Sequence, residues 1–266
     1  MKVPITCSKC IQEYGFPISN IKSADINDDG LYEYECEKGH KTITIVQNEK
    51  FEILFDMAAS ALLDGYKQEA VACMTSAIER FHEWCIFVLL RESKIDFSEI
   101  EETWKKVGSQ SQRQLGAFYF LFLQRFHKPP IGLAQKQVEF RNKVIHKGHI
   151  PTYDRVVEYG EYALNYIRSI LGELKINCKE SIKDLTFYKI INLQEKYVNK
   201  GMIVNTSTSC QPSLLGLYYS NEKLKNQTFK EALVYVKKTN EVIDLYIRQT
   251  TERSANNFTD GNNKSL

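Results

Sequence analysis

The spacing of apolar residues changes once along this chain, near residue 50. Up to residue 48 they fall in short, partly alternating runs, ITC, LYEYEC and KTITIVQ, divided by turn-forming residues, which is the pattern of short strands. From Phe51 the period becomes helical. One helix is expected over 50–64, ending near Gly65. A second is expected from about Tyr66 to Arg91, where Val71, Met74, Ile78, Phe81, Cys85 and Val88 recur every three or four positions. Ser98 with Glu101 three residues on reads as a capping box. It opens a third helix or helix pair running through Trp104 towards Phe126, ended by Pro129-Pro130. A fourth helix is expected over 132–147, stopped by Gly148. A fifth runs from Pro151-Thr152 to about Lys175 and carries Val156, Tyr159, Tyr162, Ala163, Tyr166, Ile167 and Ile170.

Short links between consecutive helices favour an antiparallel bundle. The expected fold class is therefore mainly α: an antiparallel helical bundle over 50–175, preceded by a small β-rich module over 1–48. Residues 115–126 are apolar around most of the helix, so that helix is either central in the core or shared with another chain. Residues 176–250 form a mainly helical C-terminal extension, with helical stretches near 183–200 and 228–249 around a Ser/Thr-rich middle. Residues 251–266 have the composition of a disordered tail.

With 266 residues, 43% of them apolar and 26% charged, the chain can bury a substantial core. Its net charge of +2 excludes little as a total, but the distribution is uneven. Between 124 and 149 lie Arg125, Lys128, Lys136, Arg141, Lys143 and Lys147 against the single acid Glu139, together with three histidines. A local field of that sign favours an anionic partner, phosphate above all. No hydrophobic segment precedes Cys7, and the longest apolar runs, WCIFVLL and LGAFYFLFL, are far shorter than the ~20 residues a spanning helix needs. A cytoplasmic location without membrane contact is expected, and there the seven cysteines are not read as disulfides.

Four residues of the β-rich module have metal-ligand spacing. Cys7 and Cys10 make a C-x2-C pair, and Cys36 with His40 makes C-x3-H after a 25-residue gap. Two knuckles, each presenting two ligands from a tight turn, suit a tetrahedral structural Zn²⁺ that staples a module too small for a core of its own. The segment CEKGHK resembles the second knuckle of zinc-ribbon proteins, with Gly39 relaxing the turn before the histidine. Within the same module, Asp25, Asn27, Asp29 and Gly30 imitate the first half of a calcium loop. Position twelve of that loop is Cys36 where a glutamate belongs, so calcium is rejected in favour of a turn with Gly30 at positive φ. Cys73, Cys85, Cys178 and Cys210 have no partner at ligand spacing and read as small buried hydrophobes.

The fourth helix carries the other chemistry. Ala134, Val138, Arg141 and Ile145 fall on one stripe, apolar except for Arg141. Beside it Gln135, Glu139, Asn142 and His146 form a polar stripe, so Asn142 and His146 are neighbours on one face. An arginine on the apolar stripe breaks the local rule, and such breaks are expected at functional sites. A histidine in the last turn meets the negative end of the helix dipole. The bland alternative is a snorkelling arginine and a dipole-capping histidine.

Arg141-Asn142-Lys-Val-Ile-His146 resembles the R-x4-6-H signature of the HEPN superfamily, in which the position after the arginine is commonly polar. The resemblance covers roughly residues 50–175. It implies a HEPN-like bundle acting as a metal-independent endoribonuclease, a homodimer whose RNxxxH segments face one another across the interface. In that reading His146 takes and gives the proton, a task that histidine as a residue type suits, Arg141 neutralises the phosphorane, and Asn142 holds the histidine or a phosphate oxygen. Lys143, Lys147 and His149 dock neighbouring RNA phosphates. The implied setting is a toxin or defence-type effector, with a neutralising or regulatory protein as a further partner. Zinc is then structural, and catalysis uses no cofactor. Two other readings stand beside it. One is a HEPN-like bundle that binds nucleotides or serves as a scaffold without catalysis. The other is a zinc-ribbon nucleic-acid-binding regulator, disfavoured by the six lysines against eight acids of residues 1–50.

Overall fold

The computed structural model of the chain describes residues 2–14, 21–198, 205–209, 213–217, 226–238 and 241. The chain is mainly helical and divides into two compact units. One takes the described residues of Met1–Gln47, Ile190–Gln211 and Tyr235–Leu266, the other those of Asn48–Lys189 and Pro212–Val234. The stretch from residue 176 onwards is thus shared between the two. The expected tail over 251–266, Cys210 and the far half of the helix expected over 228–249 lie outside the described residues.

The first unit contains β1 (Lys2–Thr6), α1 (Ser8–Tyr14), β2 (Ile21–Asp25), β3 (Leu31–Glu35), β4 (Lys41–Val46) and β5 (Asn205–Ser209). β1 pairs antiparallel with β2, and β3 antiparallel with β4. β5 then adds to the free edge of β4 in parallel, with Ile43 opposite Thr206. The loop that imitates a calcium site is a turn between β2 and β3, strands of different sheets. Asn27 closes it: its amide donates to the Leu31 carbonyl (2.8 Å) and its Oδ1 accepts from the Gly30 N–H (2.8 Å), with Gly30 at φ +64°.

The second unit is built on α2 (Lys50–Leu63), α3 (Lys67–Glu92), α4 (Phe97–Val107), α5 (Ser111–Phe126), α6 (Gln135–Lys147), α7 (Tyr153–Asn177) and the start of α8 (Lys179–Val198). α3 is its axis, packing against α2, α5, α6 and α7. Rings fill the core, with Phe51, Phe55, Phe81, Phe118, Phe122 and Phe229 essentially inaccessible. Fully burying one such side chain contributes roughly 1.5–3 kcal/mol. Cys85 and Cys178 are buried as expected, while Cys73 is only half-buried. Among the described residues no helix is long and apolar enough to cross a membrane.

Several expectations are corrected in detail. α4 begins at Phe97, one residue before Ser98, with Asp96 as its N-cap. A reciprocal backbone contact of the capping-box kind is found at α2 instead, where the Glu49 N–H donates to Glu52 Oε2 (3.1 Å). α5 is not apolar all round in its packing. Phe118 and Phe122 enter the core, whereas Phe120 is 76% exposed and Leu123 42%. The buried stripe of α6 is Gln137, Phe140 and Val144, one position away from the expected one. Phe140 decides this register. Its ring packs on Tyr159 (5.5 Å between centroids) and carries the Arg155 guanidinium 4.0 Å above it. Ala134 and Ile145 are left exposed, and Val138 and Arg141 lie half-buried at the stripe's edge.

Candidate metal centre and candidate active site

Cys7 leaves β1 and Cys10 sits in the first turn of α1, so the first pair opens a helix where a tight-turn knuckle was expected. Its geometry is local. The Ile11 N–H donates to the Cys7 carbonyl (3.1 Å) and the Cys10 N–H to Cys7 Sγ (3.4 Å). The second pair sits in the turn joining β3 to β4. There the Gly39 N–H donates to the Cys36 carbonyl (2.8 Å), the Cys36 N–H donates to the His40 carbonyl (3.1 Å), and Gly39 takes φ +76°. Cys10 Sγ lies 3.7 Å from Cys36 Sγ and 3.4 Å from His40 Nδ1, and Cys7 Sγ lies 3.8 Å from the same Nδ1. All four ligand atoms fall within 4.8 Å of one another, so Cys7, Cys10, Cys36 and His40 lie together and could hold a metal ion.

The cluster is also the core of its unit. The three cysteines are buried with Ile5, Tyr32 and Tyr34, against which Ala24, Ile26 and Val46 pack. Burial, followed by hydrogen bonds to Cys7 and Cys36, pushes the Cys10 thiol up to about 12. Burial also acts to raise Cys36, but donation from the backbone of His40 and Lys38 outweighs it and leaves that thiol below its ordinary value. A set of crowded thiols of this kind ionises together only beside a cation. His40 turns its other ring nitrogen, Nε2, towards Glu13 Oε2 at 3.8 Å. That partner was not anticipated from sequence. Glu13 lies one helical turn after Cys10, and this spacing is the signal that could have found it.

In the second unit a cavity of about 70 Å³ opens between α3, α5, α6 and α7. Arg141 lines it; Asn142, Lys143, His146, Lys147 and His149 do not. Arg141 and Asn142 are half-buried, and the other four are exposed. Among the described residues no hydrogen bond or ion pair engages Arg141. His146 lies five positions further on, about 140° around the helix, so a single chain does not bring these two side chains into one cavity. The end of α6 is firmly tied. Gly148 turns at φ +65°, the His149 N–H donates to the Lys143 carbonyl (3.1 Å), and the His149 carbonyl accepts from the Gln68 amide (3.2 Å). Compared with family models, curated proteins and solved structures, the chain matches none.

The polar wall of the cavity comes from α3 and α7. Thr75 donates to the Val71 carbonyl (2.8 Å), which commits its only proton, so the Tyr159 hydroxyl 3.1 Å away donates to Thr75. Burial raises the Tyr159 pKa, with the nearby Arg141 charge opposing it. His82 Nε2 lies 2.8 Å from the Tyr166 hydroxyl, and its ring stacks on Phe118. Burial pulls His82 down to about 3, which keeps it neutral at physiological pH and unsuited to proton transfer there. Thr75, Glu79 and His82 all line the cavity, at i, i+4 and i+7 on α3. This polar stripe beside the apolar one was the unread signal.

Proposed function

We propose that the chain is a HEPN-type endoribonuclease that cuts RNA without a catalytic metal, working as a homodimer in a toxin or defence-type role. One observation carries this reading. Arg141 is half-buried on the wall of a cavity and, among the described residues, unpaired, on the same helix that ends in the exposed His146 and its basic neighbours. Burying part of a guanidinium without a partner costs stability, and a bound phosphate recovers that cost.

The chemistry is transesterification. The 2′-oxygen attacks the adjacent phosphorus, its proton passing to one His146, and the phosphorus–O5′ bond breaks as His146 of the partner subunit protonates the leaving oxygen. The products are a 2′,3′-cyclic phosphate and a 5′-hydroxyl. Arg141 offsets the charge that builds on the phosphorane. Separation of Arg141 from His146 within one chain favours a site completed by a second copy. Ile145 (39% exposed), Ile150 (70%) and Tyr153 (44%), near His146 in the sequence, are exposed apolar side chains that would form an apolar border for that copy. The metal of the first unit is zinc in a structural role. Three thiols and an imidazole, with all four ligand atoms within 4.8 Å of one another, are a donor set that would hold zinc. Glu13, whose carboxylate lies 3.8 Å from Nε2 of His40, would help to orient that imidazole as a ligand.

The test is cleavage of single-stranded RNA by the pure chain, with the product ends identified by mass spectrometry. Cyclic phosphate ends that vanish in Arg141→Ala support the reading; intact RNA at micromolar chain would end it. A second reading, a non-catalytic bundle that binds nucleotides, draws on the fact that the cavity contains Arg141 without His146. Nucleotide binding without cleavage would favour it.

A further inference from the structure

Glu79 and Arg141 face the same cavity from α3 and α6, both half-buried. Among the described residues neither makes a hydrogen bond or ion pair, and both act electrostatically on the Tyr159 hydroxyl, which lines the same cavity. Opposite charges on one cavity wall would ordinarily pair. Left apart, they describe a ligand that meets each with the opposite chemistry. A carboxylate only accepts hydrogen bonds, and a guanidinium only donates them. The ligand must therefore carry an anionic or acceptor group at one end and donors at the other. A nucleotide has both, with a phosphate for Arg141 and a base edge for Glu79.

We propose that Glu79 makes this cavity a selective site for the guanine base of the nucleotide at the cut. The inference rests on the ribonuclease reading and names the base it selects. Guanine offers N1–H and N2–H side by side, and the two oxygens of a carboxylate can accept both. Adenine and cytosine place an acceptor next to their amino group, and uracil flanks its single N–H with two carbonyls, so each turns a lone pair towards the carboxylate. The cavity suits a ring in other respects. Leu115 and Val138 supply apolar wall, and Tyr162 supplies an aromatic face. The Tyr162 ring is fixed, because its hydroxyl accepts the Ala134 N–H at 2.7 Å, so stacking on it costs little ordering. A volume of about 70 Å³ admits the edge of a base and leaves ribose and phosphate outside it, within reach of Arg141.

The experiment uses the full chain on a random-sequence pool of single-stranded RNA, with the cut ends sequenced. In parallel, equilibrium binding of guanosine and uridine monophosphates is measured for the parent and for Glu79→Gln. Guanine should exceed each other base at one position next to the cut by about tenfold or more, the order of discrimination one bidentate pair supplies. In Glu79→Gln, which presents an amide donor to the guanine donors, the excess should fall below about threefold. The preference of the parent for guanosine over uridine monophosphate should fall with it. Cutting with no guanine excess, or an excess retained in Glu79→Gln, overturns the inference and leaves the ribonuclease reading standing. Uniformly slower cutting with an unchanged preference would reduce Glu79 to a tether for Arg141, and also overturns it. Absence of cutting together with Glu79-dependent guanosine binding would sink the ribonuclease reading and leave the pocket. Absence of both would remove the two together.

Discussion

The ring of Phe229 occupies the space that a side chain at Gly160 would need. A methyl group there would clash with Phe229 Cε1, and the ring is fully buried edge-on against Phe55. The helical residues from 229 dock on α7 at this point, opened by a capping box in which the Thr228 N–H donates to Glu231 and the Glu231 N–H to Thr228. Gly160→Ala should destabilise the unit by about 1–3 kcal/mol, the usual penalty for overpacking. Adding Phe229→Leu should return part of that loss. Urea unfolding of the two single variants and the double variant reads the coupling, and strictly additive losses would show that the contact is not what matters.

Arg141→Ala and His146→Ala should abolish RNA cleavage with almost no change in melting temperature. Neither side chain holds a hydrogen bond or ion pair among the described residues, so the fold loses little with it. Lys143→Ala should weaken RNA binding more than turnover. Cleavage by the parent should survive EDTA for as long as the structural metal is retained. Unfolding of both alanine variants would restore the snorkelling arginine and dipole-capping histidine as the better account.

Metal analysis of the purified chain should find about one zinc per chain. Cys36→Ser should unfold the first unit, because these thiols form its core as well as its ligand set. Glu13→Gln should leave the unit folded and weaken metal retention by about 10–100-fold, the range for a lost partner of a ligating histidine. Competition with a chromogenic chelator measures this directly.

Ile150→Asp, at a position 70% exposed in one chain, should convert a dimer into monomers. Light scattering at micromolar concentration follows the change. If the site is composite, cleavage must fall with the dimer. An active monomer would separate the apolar border from the chemistry.

Glu52 gives the second unit a pH dependence. It accepts the N–H groups of Leu217 (3.0 Å) and Glu49 (3.1 Å), and burial nevertheless pushes its pKa up to about 7. The folded chain keeps this proton up to about pH 7, whereas the unfolded chain loses it near 4.5. Between those values the folded state binds more protons, so stability falls as pH rises, by on the order of 3 kcal/mol over the whole window. His82 acts the other way: its pKa is pulled down from 6.5 to about 3, so stability falls as pH drops through that range. The two slopes oppose, and the informative quantity is the difference between parent and Glu52→Gln in urea unfolding from pH 5 to 8. Parallel curves for the two proteins would dismiss the effect.

The helical part of the fold was largely legible in sequence because its apolar spacing is strict. Lys50–Leu63, Lys67–Glu92 and Tyr153–Asn177 lie within a few residues of where the pattern puts them. The metal set was legible for a different reason: ligand chemistry restricts residue types and spacing more tightly than packing does, and all four residues fall within the first forty. Three things were not legible. The register of α6 turned on one ring, Phe140, whose packing on Tyr159 outweighs an apolar count. Glu79 sits on a helix whose apolar stripe says nothing about what its polar side faces. The buried carboxylates Glu52 and Asp56 look like surface charges in sequence, yet they accept the backbone N–H groups of Leu217 and Leu214, more than 150 residues downstream. Tertiary partners at that separation leave no local signature.

The parallel pairing of β5 with β4 sets a timetable for biosynthesis. Cys7, Cys10, Cys36 and His40 leave the ribosome close together, so the four residues that could hold a metal ion are all available well before the last strand of their sheet. Asn205–Ser209, the strand that completes the sheet beside them, emerges about 160 residues later, roughly 10–30 s at ordinary rates of translation. Throughout that interval the edge of β4 presents unpaired backbone groups to whatever the nascent chain meets. A chaperone, or another nascent copy pairing through the same edge, would find its opening there, and a chain truncated before residue 205 would keep that edge permanently.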